Sequence, residues 1–188
     1  KGSHSKQSGI PMREQNIEEF FSSLPFVPTG AQKRAVADAV LDMQSGKAMN
    51  RLIQGDVGSG KTLVAAALVW YAWKNGCASA FMAPTEILAN QHFETLSGFL
   101  APFGLRIGKL TGSMTAKQKR EVKAELAAGE LDLIIGTHAL FSEDVEYKNL
   151  ALVITDEQHR FGVNQRSNLI SKGEKPHVLV MSATPIPR

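Results

Sequence analysis

One cysteine, Cys77, stands in 188 residues, which excludes an internal disulfide and fits a reducing cytoplasm. No apolar run reaches the roughly 18 residues needed to span a bilayer. Charge of one sign is also scarce. The 21 Lys and Arg against 18 Asp and Glu leave a formal net charge of +3, too small to argue for a polyanionic partner, so any nucleic-acid contact has to come from local placement. Internal repeats and low-complexity tracts are missing as well. What is present, 43% apolar and 21% charged residues, suits one globular domain with a sizeable buried core. Cys77 lies in an apolar, small-residue stretch and reads as core packing.

Residues 1–12 (KGSHSKQSGIPM) read as a flexible leader or expression remnant, which makes His4 a poor metal-ligand candidate. From about residue 29 helix and strand alternate. Thr29 is placed to cap a helix running through Gln32, Val36 and Val40 and ending near Gly46. The predicted strands are Arg51–Gln54, Ala78–Ala83, Arg106–Leu110, Leu131–Gly136, Leu150–Thr155 and Val178–Met181. Predicted helices are Thr62–Trp73, Glu86–Leu100 and Thr115–Ala128, with a shorter one at Asn164–Ser171. Runs such as LDLII, LALVIT and HVLVM are apolar on both strand faces, the pattern of a mainly parallel α/β sheet with helices on both sides. Such sheets carry their functional residues beyond the carboxyl ends of the strands.

Between the first strand and the Thr62 helix lies Gly55-Asp56-Val57-Gly58-Ser59-Gly60-Lys61-Thr62, which satisfies G-x-x-x-x-G-K-[ST] at every fixed position. The glycines let successive backbone N–H groups turn toward phosphate oxygens, and the new helix adds its positive end. Lys61 suits the β- and γ-phosphates of ATP, and the Thr62 hydroxyl suits Mg2+, which prefers oxygen ligands. Read alone, the loop could be a turn that merely starts a helix; strand, loop and helix together favour the phosphate site. Asp156-Glu157-Gln158-His159 follows the apolar strand Leu150–Thr155. Alone it could be a surface cap. With the loop, Asp156 becomes a candidate to hold Mg2+ through coordinated water and Glu157 a candidate for orienting and deprotonating the attacking water. His159 could support that site or face solvent.

In order along the chain these segments resemble the motifs of superfamily 2 helicases: Thr29-Gly-Ala-Gln32, Ala83-Pro84-Thr85-Glu86, Thr111-Gly112-Ser113, Gly136-Thr137-His138, Asp156–His159 and Ser182-Ala183-Thr184. Within the superfamily, GDVGSGKT (55–62), APTEILANQH (83–92), GTHAL (136–140), DEQHRFGVNQR (156–166) and MSATPIPR (181–188) are similar to the RecG type. The transcription-repair coupling factor, a DNA translocase, is the alternative; it usually has a second Glu where Gln158 stands. Thr155, where Ile or Val is common, departs mildly from the pattern and still fits a strand.

The resemblance covers about residues 20–188 and implies a RecA-like ATP-binding motor domain over residues 13–188. Its activity would be ATP hydrolysis that unwinds or branch-migrates branched or double-stranded DNA, such as forks and Holliday junctions, in repair and recombination. It implies a monomeric, cytoplasmic bacterial motor without a membrane role, with Gln32 at the adenine. Ser182 and Thr184 would couple the DNA edge to the magnesium end. Thr85, Thr111, Gly112, Thr137 and His138 follow predicted strands, and small hydroxyls and backbone N–H groups there suit DNA phosphates without reading sequence. Read alone, each is a cap or turn residue; Thr85, Thr111, Thr137 and His138 on one edge together favour the phosphate reading. Phe26 could stack on adenine or pack; Trp70 and Trp73 read as core or interface. Lys117, Lys119, Arg120 and Lys123, interleaved with Glu121 and Glu125, read as a solvated helix face. A small-molecule kinase would need an acceptor pocket and an arginine lid, and a scaffold with a vestigial site would not need Lys61, Thr62, Asp156 and Glu157.

The resemblance also implies a second RecA-like domain, which supplies an arginine to the transferred phosphate, and a DNA-binding wedge domain, neither of them in this sequence. An absent arginine of this kind typically costs about 10³–10⁵ in rate. The isolated chain is therefore expected to bind nucleotide weakly, hydrolyse it little and unwind nothing. DNA-stimulated phosphate release at the rate of whole helicases would refute that expectation.

Overall fold

Strands that are apolar on both faces need cover on both, and they find it in a sheet sandwiched between helices. The computed structural model of the protein describes residues 12–13, 15–45, 49–54, 59–156 and 176–182. In chain order the elements are α1 (Glu18–Ser22), α2 (Gly30–Gln44), β1 (Asn50–Gln54), α3 (Ser59–Lys74), β2 (Ala78–Met82) and α4 (Glu86–Leu100). β3 (Ile107–Leu110), α5 (Ala116–Ala128), β4 (Leu133–Gly136), β5 (Leu150–Asp156) and β6 (His177–Ser182) follow. The six strands pair in the order β1-β6-β5-β2-β4-β3, every pair parallel. None of the described helices is long and apolar enough to cross a membrane.

Alternate strand residues separate two cores. Phe81, Leu133, Ile135, Leu152, Ile154, Leu179 and Met181 face the side covered by α1 to α4. Ala80, Met82, Leu110, Ile134 and Val153 face the other, where Leu126 of α5 joins Leu140, Phe141 and Val145. α3 is apolar all round, and every residue from Lys61 to Ala72 is buried. Such a helix belongs inside a protein. Phe20 of α1 sits 6.1 Å from Trp70 and 6.0 Å from Phe103, centroid to centroid, which seals the outer side of α3. At the start of the β1–β6 pair the Met49 N–H donates to Nδ1 of the fully buried His177 at 2.9 Å.

Helix starts follow local chemistry. Thr29 and Thr115 each form a capping box, their hydroxyls accepting from the N–H of Gln32 and Gln118 while those side chains accept from the threonine N–H. Against the sequence expectation, β3 and β4 begin late, at Ile107 and Leu133. There the Arg106 N–H donates to Asp132 Oδ2 at 2.8 Å and Nη2 to Oδ1 at 3.1 Å, while the Arg106 carbonyl accepts from the Asp132 and Leu133 N–H groups. α1 and the short 3-10 turns at Ala101–Phe103 and His138–Phe141 had no predicted counterpart. The helix expected at Asn164–Ser171 lies outside the described residues.

Gly136 ends β4 where nothing larger fits. A Cβ there would run into the Leu110 carbonyl and come within 3.1 Å of a Leu140 methyl. Gly98, inside α4, would meet nothing within 4 Å. Gly136→Ala is expected to cost about 1–3 kcal/mol through overpacking, and Gly98→Ala to stabilise by up to about 1 kcal/mol. Urea unfolding midpoints measure both; equal midpoints would refute the tight β3–β4 contact.

Candidate functional site

Parallel pairing puts every carboxyl end on one edge. One row of Cα partners crosses the sheet through Leu110, Gly136, Met82, Thr155, Val180 and Leu52. One residue further along stand Thr111, Thr137, Ala83, Asp156, Met181 and Ile53, and β1 and β6 extend one more, to Gln54 paired with Ser182. The strand leading into the glycine-rich loop thus ends one residue past the level of Asp156, two strand spacings away, or about 10 Å.

Lys61 and Thr62 occupy the first turn of α3 and are 8% and 4% exposed. The N–H groups of a first turn lack intrahelical acceptors and carry the positive end of the helix dipole. An ammonium and a hydroxyl held there suit a phosphate and a hard cation. Asp156, 14% exposed at the side chain, brings a carboxylate to the same edge. Among the described residues no group of three or more His, Cys, Asp and Glu side chains could hold a metal by itself. That donor set fits Mg2+, which takes one or two protein oxygens and completes its shell with water and substrate phosphate.

Asp156 has a partner that the sequence reading missed. His92 of α4 lies with Nε2 3.2 Å from Oδ2, and its ring packs on Phe81 at 4.6 Å between centroids. A signal existed: His92 continues the inward stripe Ala89, Leu96 and Leu100, all buried, and a polar group in such a stripe normally has a partner.

Glu86 is a second missed residue. Its Oε2 accepts from the Ser113 N–H at 2.6 Å. That bond, with further ones from the Ser113 side chain and Thr111, holds the carboxyl below the usual glutamate range. The loops after β2 and β3 are joined in this way.

Of the residues expected at a DNA edge, Thr85 is exposed and caps α4, accepting from the Leu88 N–H at 3.2 Å. Gly112 and His138 are exposed and Thr137 is half-buried. Thr111 is 3% exposed, so the open surface of its loop belongs to Gly112 and Ser113. Gln32 is half-buried, its amide oxygen accepting from the Thr29 N–H at 2.8 Å. Phe26 is 45% exposed and meets Phe99 edge-on at 6.2 Å. Beside it, Phe21, Leu24, Pro28 and Lys33 help line a cavity of about 310 Å³.

Trp70 is core and Trp73 half-buried against it. Lys117 and Arg120 face solvent, and Lys123 reaches Asp144 at 2.6 Å, as an ordinary solvated helix face does. Cys77 is half-buried on the rim of the core, and burial pushes its thiol pKa up, away from reactivity. Gly55, Asp56, Val57, Gly58, Glu157, His159 and Thr184 lie outside the described residues, as do the side chains of Ser59 and Ser182, while Gly60 sits in the first turn of α3.

A DEAD/DEAH box helicase family model matches residues 29–188. The chain is 50% identical over 190 residues to the ATP-dependent DNA helicase RecG of Bacillus subtilis, covering 100% of this chain and 28% of that protein. Against the RecG of Thermotoga maritima identity is 51% over 185 residues, covering 97% of this chain and 24% of the relative. The chain thus spans about a quarter of the length of these curated relatives. A solved structure of RecG bound to a three-way DNA junction superposes with a TM-score of 0.87 at 48% identity, over 100% of this chain and 25% of that one. The UvsW helicase of bacteriophage T4 shares the fold, with a TM-score of 0.64 at 17% identity over 95% of this chain and 62% of its own.

The Glu86 tie makes a signed pH prediction. A lowered carboxyl pKa means the folded state favours the charged form. The tie is complete above the ordinary glutamate value and is lost as pH falls through the lowered one. NMR titration of the Glu86 carboxyl should give a midpoint below that of an exposed glutamate. A midpoint at or above it would show that Ser113 is not held.

Proposed function

The chain belongs to the DEAD/DEAH box helicase family, and from that premise we propose that it is the ATP-binding motor domain, residues 13–188, of a RecG-type DNA helicase or translocase. The observation that carries this reading is the level edge on which the strand before Lys61 and the strand ending at Asp156 finish. The RecG relatives favour that group over a coupling-factor-type translocase.

In this reading the backbone of residues 55–60 and the ammonium of Lys61 bind the β- and γ-phosphates of ATP. Lys61 draws off negative charge as the terminal bond breaks. The Thr62 hydroxyl and the Asp156 carboxylate hold Mg2+, which when bound supplies Lewis-acid neutralisation of the phosphate oxygens. Glu157, next in the chain to Asp156, orients the attacking water and takes its proton. Positioning supplies most of the rate in phosphoryl transfer, so the carboxylate of Glu157 needs no unusual basicity. Gln32 and Phe26 flank the adenine.

The polynucleotide lies along the remaining part of the same edge, on the backbone and small side chains of Thr85, Gly112, Ser113, Thr137 and His138. A motor gains from such contacts because they grip phosphates and ignore base identity. Ser182, Thr184 and His159 link the two ends of the edge. In the whole protein, a second RecA-like domain and a wedge domain complete a cytoplasmic, monomeric motor acting on branched or double-stranded DNA in repair and recombination.

Removing the Lys61 ammonium tests the nucleotide half. A hydrogen bond to a charged group contributes about 1.5–3 kcal/mol, so Lys61→Ala should weaken ATP binding by roughly tenfold to a hundredfold. Fluorescence titration with a labelled nucleotide reads the effect. Affinity equal to the parent chain would overturn the assignment.

A further inference from the structure

His92 takes no part in the function just described, yet it touches the carboxylate at its centre. Nε2 and the Asp156 Oδ2 are 3.2 Å apart, and the two side chains are 15% and 14% exposed. An ionised carboxylate only accepts, so Nε2 is the nitrogen that carries the proton and donates it into this bond. The ring cannot easily leave. It lies on Phe81, fully buried in β2, whose register partner Ile154 stands two residues before Asp156.

The same helix reaches the opposite end of the edge. Thr85 caps α4, Glu86 in its first turn holds the Ser113 N–H, and His92 follows six residues later, about 9 Å along the axis. One rigid element therefore grips both the loop after β3 and the aspartate that ends β5.

We propose that His92 is a positioning residue for Asp156: it anchors Oδ2 so that the carboxylate meets Mg2+ in one orientation, and through α4 it ties that orientation to the loops at Thr85 and Ser113. This rests on the nucleotide reading above. An aspartate carboxyl left alone rotates broadly about its last torsion; with one oxygen held, the other keeps a fixed direction. Hydrogen-bond partners of metal-binding carboxylates commonly control affinity by 10–100-fold.

The test compares His92→Leu, which can pack on Phe81 but has no N–H, with His92→Gln, which can still donate. The readout is the Mg2+ concentration that half-saturates binding of a fluorescent ATP analogue to this chain, with binding in EDTA as the reference. The leucine variant should need about tenfold more Mg2+ and the glutamine variant no more than about twofold more, with binding in EDTA unchanged in both. Wild-type Mg2+ dependence in His92→Leu, or a glutamine variant as impaired as leucine, overturns the role of His92 alone. A parent chain whose nucleotide binding ignores Mg2+ overturns the nucleotide reading and this role with it. Should His92→Leu fail to fold, His92→Met against His92→Gln makes the same comparison.

Discussion

The constraint on which the structure depends is parallel strand pairing in level register. Parallel neighbours must be joined by crossovers, so each strand's outgoing loop emerges at the same edge. Here the register holds across all six strands, from Leu110 to Leu52, and residues far apart in sequence become neighbours without any contact designed between them. The apolar runs that make the sheet possible are thus also what gathers the polar chemistry. The close approach of Gly136 to the Leu110 carbonyl keeps the β3 end in that line.

Much of this was legible because it is local. α4 begins and ends where the sequence pattern puts it, at Glu86 and Leu100, since Thr85 announces the start and a regular apolar stripe follows. The strands are displaced by a residue or two at most, and the larger shifts trace to the Arg106–Asp132 pair. That side-chain pairing cannot be seen in either segment alone. Thr29 and Gln32 also carry a local signal, the T-x-x-Q capping box. It accounts for part of what the Gln32 side chain does in addition to any ligand role.

What was hidden is long-range and polar. His92 and Asp156 are separated by 64 positions, and Glu86 and Ser113 by 27. Propensity and periodicity do not encode which carboxylate will face which donor; that follows only once α4 has docked on the sheet. Both missed residues stand in the APTEILANQH segment, whose resemblance had drawn attention to Thr85 instead. A helix that caps itself, binds a neighbouring loop and holds an aspartate is more constrained than its amphipathic pattern suggests.

The burial of α3 has a mechanical meaning. A rod enclosed by α2, α4 and the sheet can neither tilt nor slide without tearing open the larger of the two cores. Whatever is gripped at its head is anchored in the larger of the two cores. Any rearrangement within this chain would then fall to the rim loops, with α3 as the fixed mount beneath them.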